Sequence, residues 1–374
     1  MTHNQPALGL AAASALPSPA AREEQVGREK PIASDECEQS AESTAAAALH
    51  NSLRHSLHAE LAQVEKLIVA ATSSRYAEVA ALGRLAAAQG GKRLRPTLVW
   101  LSAQAIGAQP LPSAARRDLA AIAAAVELVH AASLVHDDVM DAADQRRHQP
   151  TIVGQAGNSA AVLLGDLLFT RAYALAASVR STYPARKLAA AATRLCEGEL
   201  RQQAAAGQWQ MSFATYRSLL VQKTGALCAV SCQLGAWQAA AERQQRHALS
   251  RFGKLLGLAF QIYDDWLDYW GTEHVGKTLG TDLLQSKPTL PLLRLLHTTP
   301  VSQQAGLREL LEHPHAAARA EIRRRLDASD AGEYTLRVAQ KYSRLAQQQL
   351  RCLAPSPARD SLAAIAHYSV HRSL

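Results

Sequence analysis

From about Ala45 onward, apolar residues recur at spacings of three and four. Leu49, Leu53, Leu57, Leu61, Val64, Leu67 and Ile68 fall on one face of a helix. The same period predicts further helices around 96–106, 114–140, 160–180, 184–205, 213–240, 243–270, 290–296, 303–312, 317–326, 331–353 and 361–372. Gly and Pro mark junctions at Gly90-Gly91, Pro110 to Pro112, Gly154 to Gly157, Gly276 to Gly280 and Pro355 to Pro357. No strand-period run bounded by hairpin turns stands out, and no short repeat. The predicted fold class is all-α. Residues 1–44 carry no period and are rich in Ala, Pro, Ser and Glu, which reads as a flexible N-terminal extension before one helical domain at 45–374. The stretch 8–21 looks like a signal-peptide core, but Met1 to Gln5 hold no Lys or Arg, so secretion is not expected.

Composition sharpens this picture at three points. A length of 374 residues on its own suggests two or three domains, while 48% apolar residues, many of them alanine, with only 5% aromatics favour packed helices over a sandwich. No run of about 18 uncharged apolar residues is found, so no transmembrane segment is expected. The five cysteines are odd in number and scattered, which points to a reducing, cytoplasmic setting; Cys228 and Cys232, four apart, read as buried core thiols.

A formal net charge of +8 raises the question of an anionic partner: nucleic acid, a membrane surface or a phosphorylated metabolite. The positions of the charges choose among them. Asp137-Asp138-Val139-Met140-Asp141 closes one long apolar helix, and Asp264-Asp265-Trp266-Leu267-Asp268 follows another. In each, the first and last carboxylates stand at i and i+4 on one helix face. Carboxylates at a helix C-terminus gain nothing from the macrodipole, so a cation must compensate, and hard oxygen ligands suit Mg²⁺ bound together with substrate phosphates. Cations match them: Lys92, Arg93 and Arg95 in Gly90–Pro96, the pair Arg146-Arg147, Lys223 before Thr224, Lys277 and Lys287. Of these, Arg93 reads as a surface residue. Together the two clusters and the cations read as a site for two phosphate-bearing ligands. Nucleic acid is disfavoured, because the cations pair with acidic clusters and are not interleaved with aromatics.

These residues resemble the trans-isoprenyl diphosphate synthases, the polyprenyl synthetase family. GGKRLRP, HDDVMD followed by RR, GDLLF, EGELRQ, QKTGAL, AFQIYDDWLDYWG and GKTLGTDLLQSKPTLP occur in the family's order between about Leu82 and Pro291. The resemblance implies an antiparallel helical bundle around a deep central cavity, homodimeric as a rule. It also implies 1′-4 head-to-tail condensation of isopentenyl diphosphate with an allylic diphosphate. By that likeness Asp137, Asp138, Asp141, Asp264, Asp265 and Asp268 hold three Mg²⁺ on the allylic diphosphate. Arg146, Lys223, Lys277 and Lys287 bind its phosphates, and Lys92, Arg95, His130 and Arg147 bind isopentenyl diphosphate. Thr224, Phe260 and Gln261 line the reacting centre, and Glu199 and Gln202 take supporting roles. No nucleic acid is implied; a peripheral membrane contact is compatible with release of the product. The sequence departs from the family pattern at His148 and Ser286, where glycine is common, which touches loop geometry more than chemistry.

In this family the product grows alongside the helix that ends in the first cluster, so residues before Asp137 act as a ruler. Ala132 lies five residues earlier, roughly 7–8 Å deeper at about 1.5 Å per residue. Ala132 and Ser133 are small, and no insertion separates Asp137 from Asp141, so the stretch looks most like long-chain synthases of about C35–C50 that make quinone side chains. The alternatives are a geranylgeranyl diphosphate synthase, a class I terpene cyclase and a partner subunit of a heteromeric synthase.

Overall fold

The apolar period folds into helices throughout. In chain order they are His58–Thr72 (α1), Ala77–Ala88 (α2), Leu94–Gln104 (α3), Ser113–Met140 (α4), Ile152–Ala177 (α5), Tyr183–Ala204 (α6), Phe213–Leu220 (α7), Ala226–Gln238 (α8) and Arg243–Trp270 (α9). There follow Thr281–Leu284 (α10), Leu290–Thr298 (α11), Val301–Glu312 (α12), Ala316–Asp327 (α13), Ala331–Gln349 (α14) and Pro357–Tyr368 (α15). The computed structural model describes residues 51–371 other than 54, 89–90, 108–110, 147–148 and 272–279. The expected extension at 1–44 lies outside them, as do Cys37, Arg147, His148 and Lys277. Among the described residues the strands are Gln145–Arg146 (β1) and Gln149–Pro150 (β2), an antiparallel pair just after the first acidic cluster.

Two long helices organise the molecule. Almost every residue of α4 from Leu119 to Val129 is buried, and the run of alanines lets α1, α3, α5 and α8 approach it from several sides. α9 is amphipathic. Its start is fixed by a capping box between Glu242 and Gln245, its apolar face packs on α8 and α14, and the Arg323 guanidinium donates to the Tyr269 carbonyl near its last turn. The largest apolar cluster gathers α1, α3 to α6 and α8, with smaller ones around α11 to α13 and between α7, α9 and α14.

The structure departs from the sequence reading in local ways. The helix expected at 213–240 is two helices joined by a π-helical turn, Val221–Gly225, in which one extra residue is inserted. Glycines let it lie close to its neighbours: a Cβ at Gly198 would meet Gln222 Cβ at 2.7 Å, and one at Gly257 would meet Gly225 Cα at 2.8 Å. Gly154 to Gly157 do not separate elements but lie inside α5, which bends where Gly157 adopts φ 79°. Two helices, α4 and α5, are long and apolar enough to cross a membrane by length and composition. Of the most apolar stretch of α4, 78% is buried within the fold; for α5 the figure is 33%.

Candidate functional site

The two acidic clusters stand where the sequence places them, at the C-terminal turns of α4 and α9. Their six carboxylates are not equivalent. Asp138 is buried and accepts from Arg146 Nε at 2.8 Å, so the β1 cation is bound to the first cluster. Asp265 is buried and accepts from the Tyr216 hydroxyl at 2.6 Å on one oxygen and from Gln261 Nε2 at 3.4 Å on the other. Asp268 caps α10, accepting from Thr281 N at 3.1 Å, Thr281 Oγ1 at 2.8 Å and Asp282 N at 3.1 Å. Protein donors thus engage one oxygen of Asp138 and both oxygens of Asp265 and Asp268. Asp137 and Asp264 are part-buried and Asp141 is exposed.

The π turn joins the two clusters. Lys223 Nζ lies 2.7 Å from Glu199 Oε2 on α6, with Asp137 and Asp141 of α4 close enough to act on its charge. The next residue, Thr224, donates through Oγ1 to Gln261 Oε1 at 3.0 Å, and Gln261 donates in turn to Asp265. A second bridge runs through α10 and the residues after it: the first turn of α10 is held by Asp268, while Lys287 Nζ reaches Asp141 Oδ1 at 3.5 Å. The two clusters thus share one site, closed by adjacent residues of a single irregular turn.

Electrostatics follow from burial. Desolvation pushes the Asp137 carboxyl up to about 6, against the pull of Lys223 and with Glu199 adding repulsion. Burial and neighbouring carboxylates push Asp265 up to about 7, opposed by its hydrogen bonds from Tyr216 and Gln261. Burial works against the Lys223 ammonium, but Asp137 and Glu199 outweigh it and hold it above the ordinary lysine range. Among the described residues no three His, Cys, Asp or Glu side chains converge on one point. The carboxylate oxygens of the two clusters are hard donors of the type a divalent ion takes together with ligand phosphates.

Of the remaining predicted residues, Arg95 stands in the first turn of α3 and His130 is on α4, seven residues before Asp137. Lys92 is exposed on the segment before α3, and Phe260 lies beside Gln261 on α9. Ala132 is fully buried on α4, and Ser133 donates to the His130 carbonyl at 2.8 Å. Cys228 and Cys232 are buried free thiols, as expected, and burial drives Cys232 up to about 12; Cys196 and Cys352 are exposed. Arg93 corrects the sequence reading. It is not a surface residue: its guanidinium turns inward onto both oxygens of Glu65 and reaches Glu127 at 3.3 Å. Tyr216 and Glu127 were missed. Glu127 had a signal, since it is the one Asp, Glu, Lys or Arg between Leu119 and His136; Tyr216 had none, because its partner is 49 residues away.

A helical bundle with an aspartate cluster ending each of two long helices defines the isoprenoid-synthase class of fold. Within that class the chain belongs to the polyprenyl synthetase family, whose model matches residues 77–328, and it is a prenyltransferase. It is 34% identical over 316 residues to the octaprenyl diphosphate synthase of Haemophilus influenzae, covering 84% of this chain and 94% of that protein. It is 36% identical over 312 residues to heptaprenyl diphosphate synthase component 2 of Geobacillus stearothermophilus, covering 83% and 94%. The crystal structure of a polyprenyl synthase from Caulobacter crescentus, complexed with calcium and isoprenyl diphosphate, superposes with a TM-score of 0.81 at 32% identity, covering 87% of this chain and 98% of that one.

Proposed function

We propose that this chain is a Mg²⁺-dependent trans-polyprenyl diphosphate synthase that adds isopentenyl diphosphate head-to-tail to an allylic diphosphate and makes a long product. The observation that carries this reading is the pair Lys223 and Thr224. One residue engages the carboxylates of α4 and the next engages the Gln261–Asp265 network of α9. Asp137, Asp138 and Asp141, with Asp264, Asp265 and Asp268, would hold Mg²⁺ on the allylic diphosphate, and the protein donors on Asp138, Asp265 and Asp268 hold those carboxylates in place. Bound there, the metal supplies positive charge to a diphosphate that leaves as the allylic C–O bond ionises. Arg146, Lys223 and Lys287, with Lys277 of the family pattern, take up the remaining charge of the leaving group. Lys92, Arg95, His130 and Arg147 orient isopentenyl diphosphate so that its double bond attacks the cation. The departed diphosphate takes the proton then lost, so no protein base is required. Apolar walls keep water from the cation.

The long product rests on Ala132 and Ser133 and on the likeness to octaprenyl and heptaprenyl synthases. Residues 45–374 act in this reading as one unit. The exposed apolar face of α5, where Val162 is 41% and Leu163 69% exposed, supports a homodimer that covers it with a second copy. Sedimentation of the full chain is expected to give a dimer, and Leu163→Glu a monomer; a parent that sediments as a monomer refutes this.

Labelled isopentenyl diphosphate offered with C10, C15 and C20 allylic primers tests the reading. Incorporation that requires both a primer and Mg²⁺ is expected. Ionisation of the primer without incorporation would point to a cyclase, and no turnover from the chain alone would point to a required partner subunit. In the same assay Ala132→Phe is expected to shorten the product while turnover persists. Phe adds bulk one and a half turns below Asp137, in the path of the growing chain. An unchanged product length would sink the ruler assignment. A drop in melting temperature alone would mark Ala132 as a packing residue, since overfilling a core costs about 1–3 kcal/mol.

A further inference from the structure

Arg93 and Arg95 flank a carboxylate that the synthase reading leaves unused. Arg93 adopts φ 51° just before α3, in the left-handed region, and this turns its side chain under the segment rather than out to solvent. There it forks onto Glu65 of α1, donates to the Ala87 carbonyl of α2 at 3.1 Å, and reaches Glu127 Oε1 of α4 at 3.3 Å. Glu127 is only 4% exposed, and its second oxygen has no hydrogen-bond partner. Arg95 Nε is likewise buried without one. Burial pushes the Glu127 carboxyl up, and Arg95 and Arg93 are the two cations that oppose this. Glu127 thus faces both arginines from the helix whose end carries Asp137. An uncompensated carboxylate in an apolar helix is costly, so the two arginines must stay near it.

We infer that Glu127 is a positioning residue for the second diphosphate: through Arg93 and Arg95 it sets the segment before α3 against α4 and so fixes the cations that take the phosphate. Glu65 anchors the far side of Arg93. This rests on the reading that Lys92 and Arg95 bind isopentenyl diphosphate. Four hydrogen bonds to three helices hold one arginine in a strained backbone position, more than the loop needs to close. They set the cations relative to the helix that carries the first acidic cluster.

The test is steady-state kinetics of the full chain, with isopentenyl diphosphate varied at saturating allylic primer and the converse. Glu127→Gln is expected to raise KM for isopentenyl diphosphate about tenfold, the scale of one charge-assisted contact, while KM for the primer moves less than about twofold. The double variant Glu127→Gln with Arg95→Gln should bind isopentenyl diphosphate no worse than Arg95→Gln alone, because Glu127 acts through that arginine. Glu65→Gln, at a half-exposed site, should give a smaller rise in the same KM with the fold intact, and it decides the matter if Glu127→Gln does not fold. Unchanged KM for isopentenyl diphosphate in Glu65→Gln and Glu127→Gln, equal rises for both substrates, or effects of Glu127 and Arg95 that multiply would overturn the inference. If Arg95→Gln itself leaves that KM unchanged, the assignment of the second diphosphate site fails first, whatever Glu127 does.

Discussion

Replacing Asp137 with asparagine is expected to cut metal-dependent turnover about a thousandfold while leaving the metal-free protein more heat-stable than the parent. The two effects have one cause. Asp137 ends α4 in a part-buried position beside Glu199, where the macrodipole is also unfavourable. Its folded pKa is about 6, above the ordinary 3.8. A carboxyl raised on folding destabilises the native state once ionised. The cost is absent below about pH 4, grows between about 4 and 6, and is fully present at neutral pH. A rise of two units corresponds to roughly 3 kcal/mol, at about 1.4 kcal/mol per unit. Asn removes that cost with little change of shape, and removes the anion that a divalent ion would need. Calorimetry of the chelated proteins and turnover in Mg²⁺ check both halves. Parent-like activity, or a lower melting temperature, would refute this account of Asp137. Stripping the metal from the parent should reproduce the loss of turnover without any mutation.

Much of this site was legible in the sequence, and the reason is local. The long apolar periods of α4 and α9 each end in a D-D-x-x-D run, so helix, face and cluster are all fixed by neighbours a few residues apart. The bounds expected for α9 from the apolar period, 243–270, are those of the helix, which Glu242 and Gly271 cap in the structure. What was not legible depends on distant partners. Nothing near Asp265 foretells that Tyr216 commits one of its oxygens, nor near Asp268 that the backbone of Thr281 and Asp282 claims both of its own. Which protein donors brace Asp138, Asp265 and Asp268 is a tertiary fact. Arg93 was misread for the same reason: a Gly-rich run reads as an exposed loop until φ 51° aims its side chain at Glu65 and Glu127. The π turn leaves no periodic mark, since one inserted residue shifts the register by less than a spacing of three or four resolves.

Lys223→Gln is expected to reduce kcat/KM for the allylic diphosphate by at least about a hundredfold, and here stability should move in the opposite direction from Asp137→Asn. Lys223 compensates Glu199 at 2.7 Å and lies within the field of Asp137 and Asp141. Removing it leaves part-buried carboxylates without their cation, a change that typically costs about 3–5 kcal/mol. The fold offers no easy substitute: a Cβ at Gly198 would meet Lys223 N at 2.9 Å, so the turn is packed too closely on α6 for the backbone to readjust. Because the ammonium is held above the ordinary lysine range, it stays charged across neutral pH and adds no alkaline limb of its own to the rate profile below about pH 9. Glu199→Gln should lose less activity than Lys223→Gln, since it acts only by aiming the ammonium. The double variant Asp137→Asn with Lys223→Gln should recover part of the melting temperature lost in Lys223→Gln and none of the activity. That combination separates the two roles of this charge pair, because stability depends on balancing buried charge while turnover depends on having both signs present. Recovery of activity in the double variant, or a melting temperature that falls further, would show that Lys223 and Asp137 do not share one site.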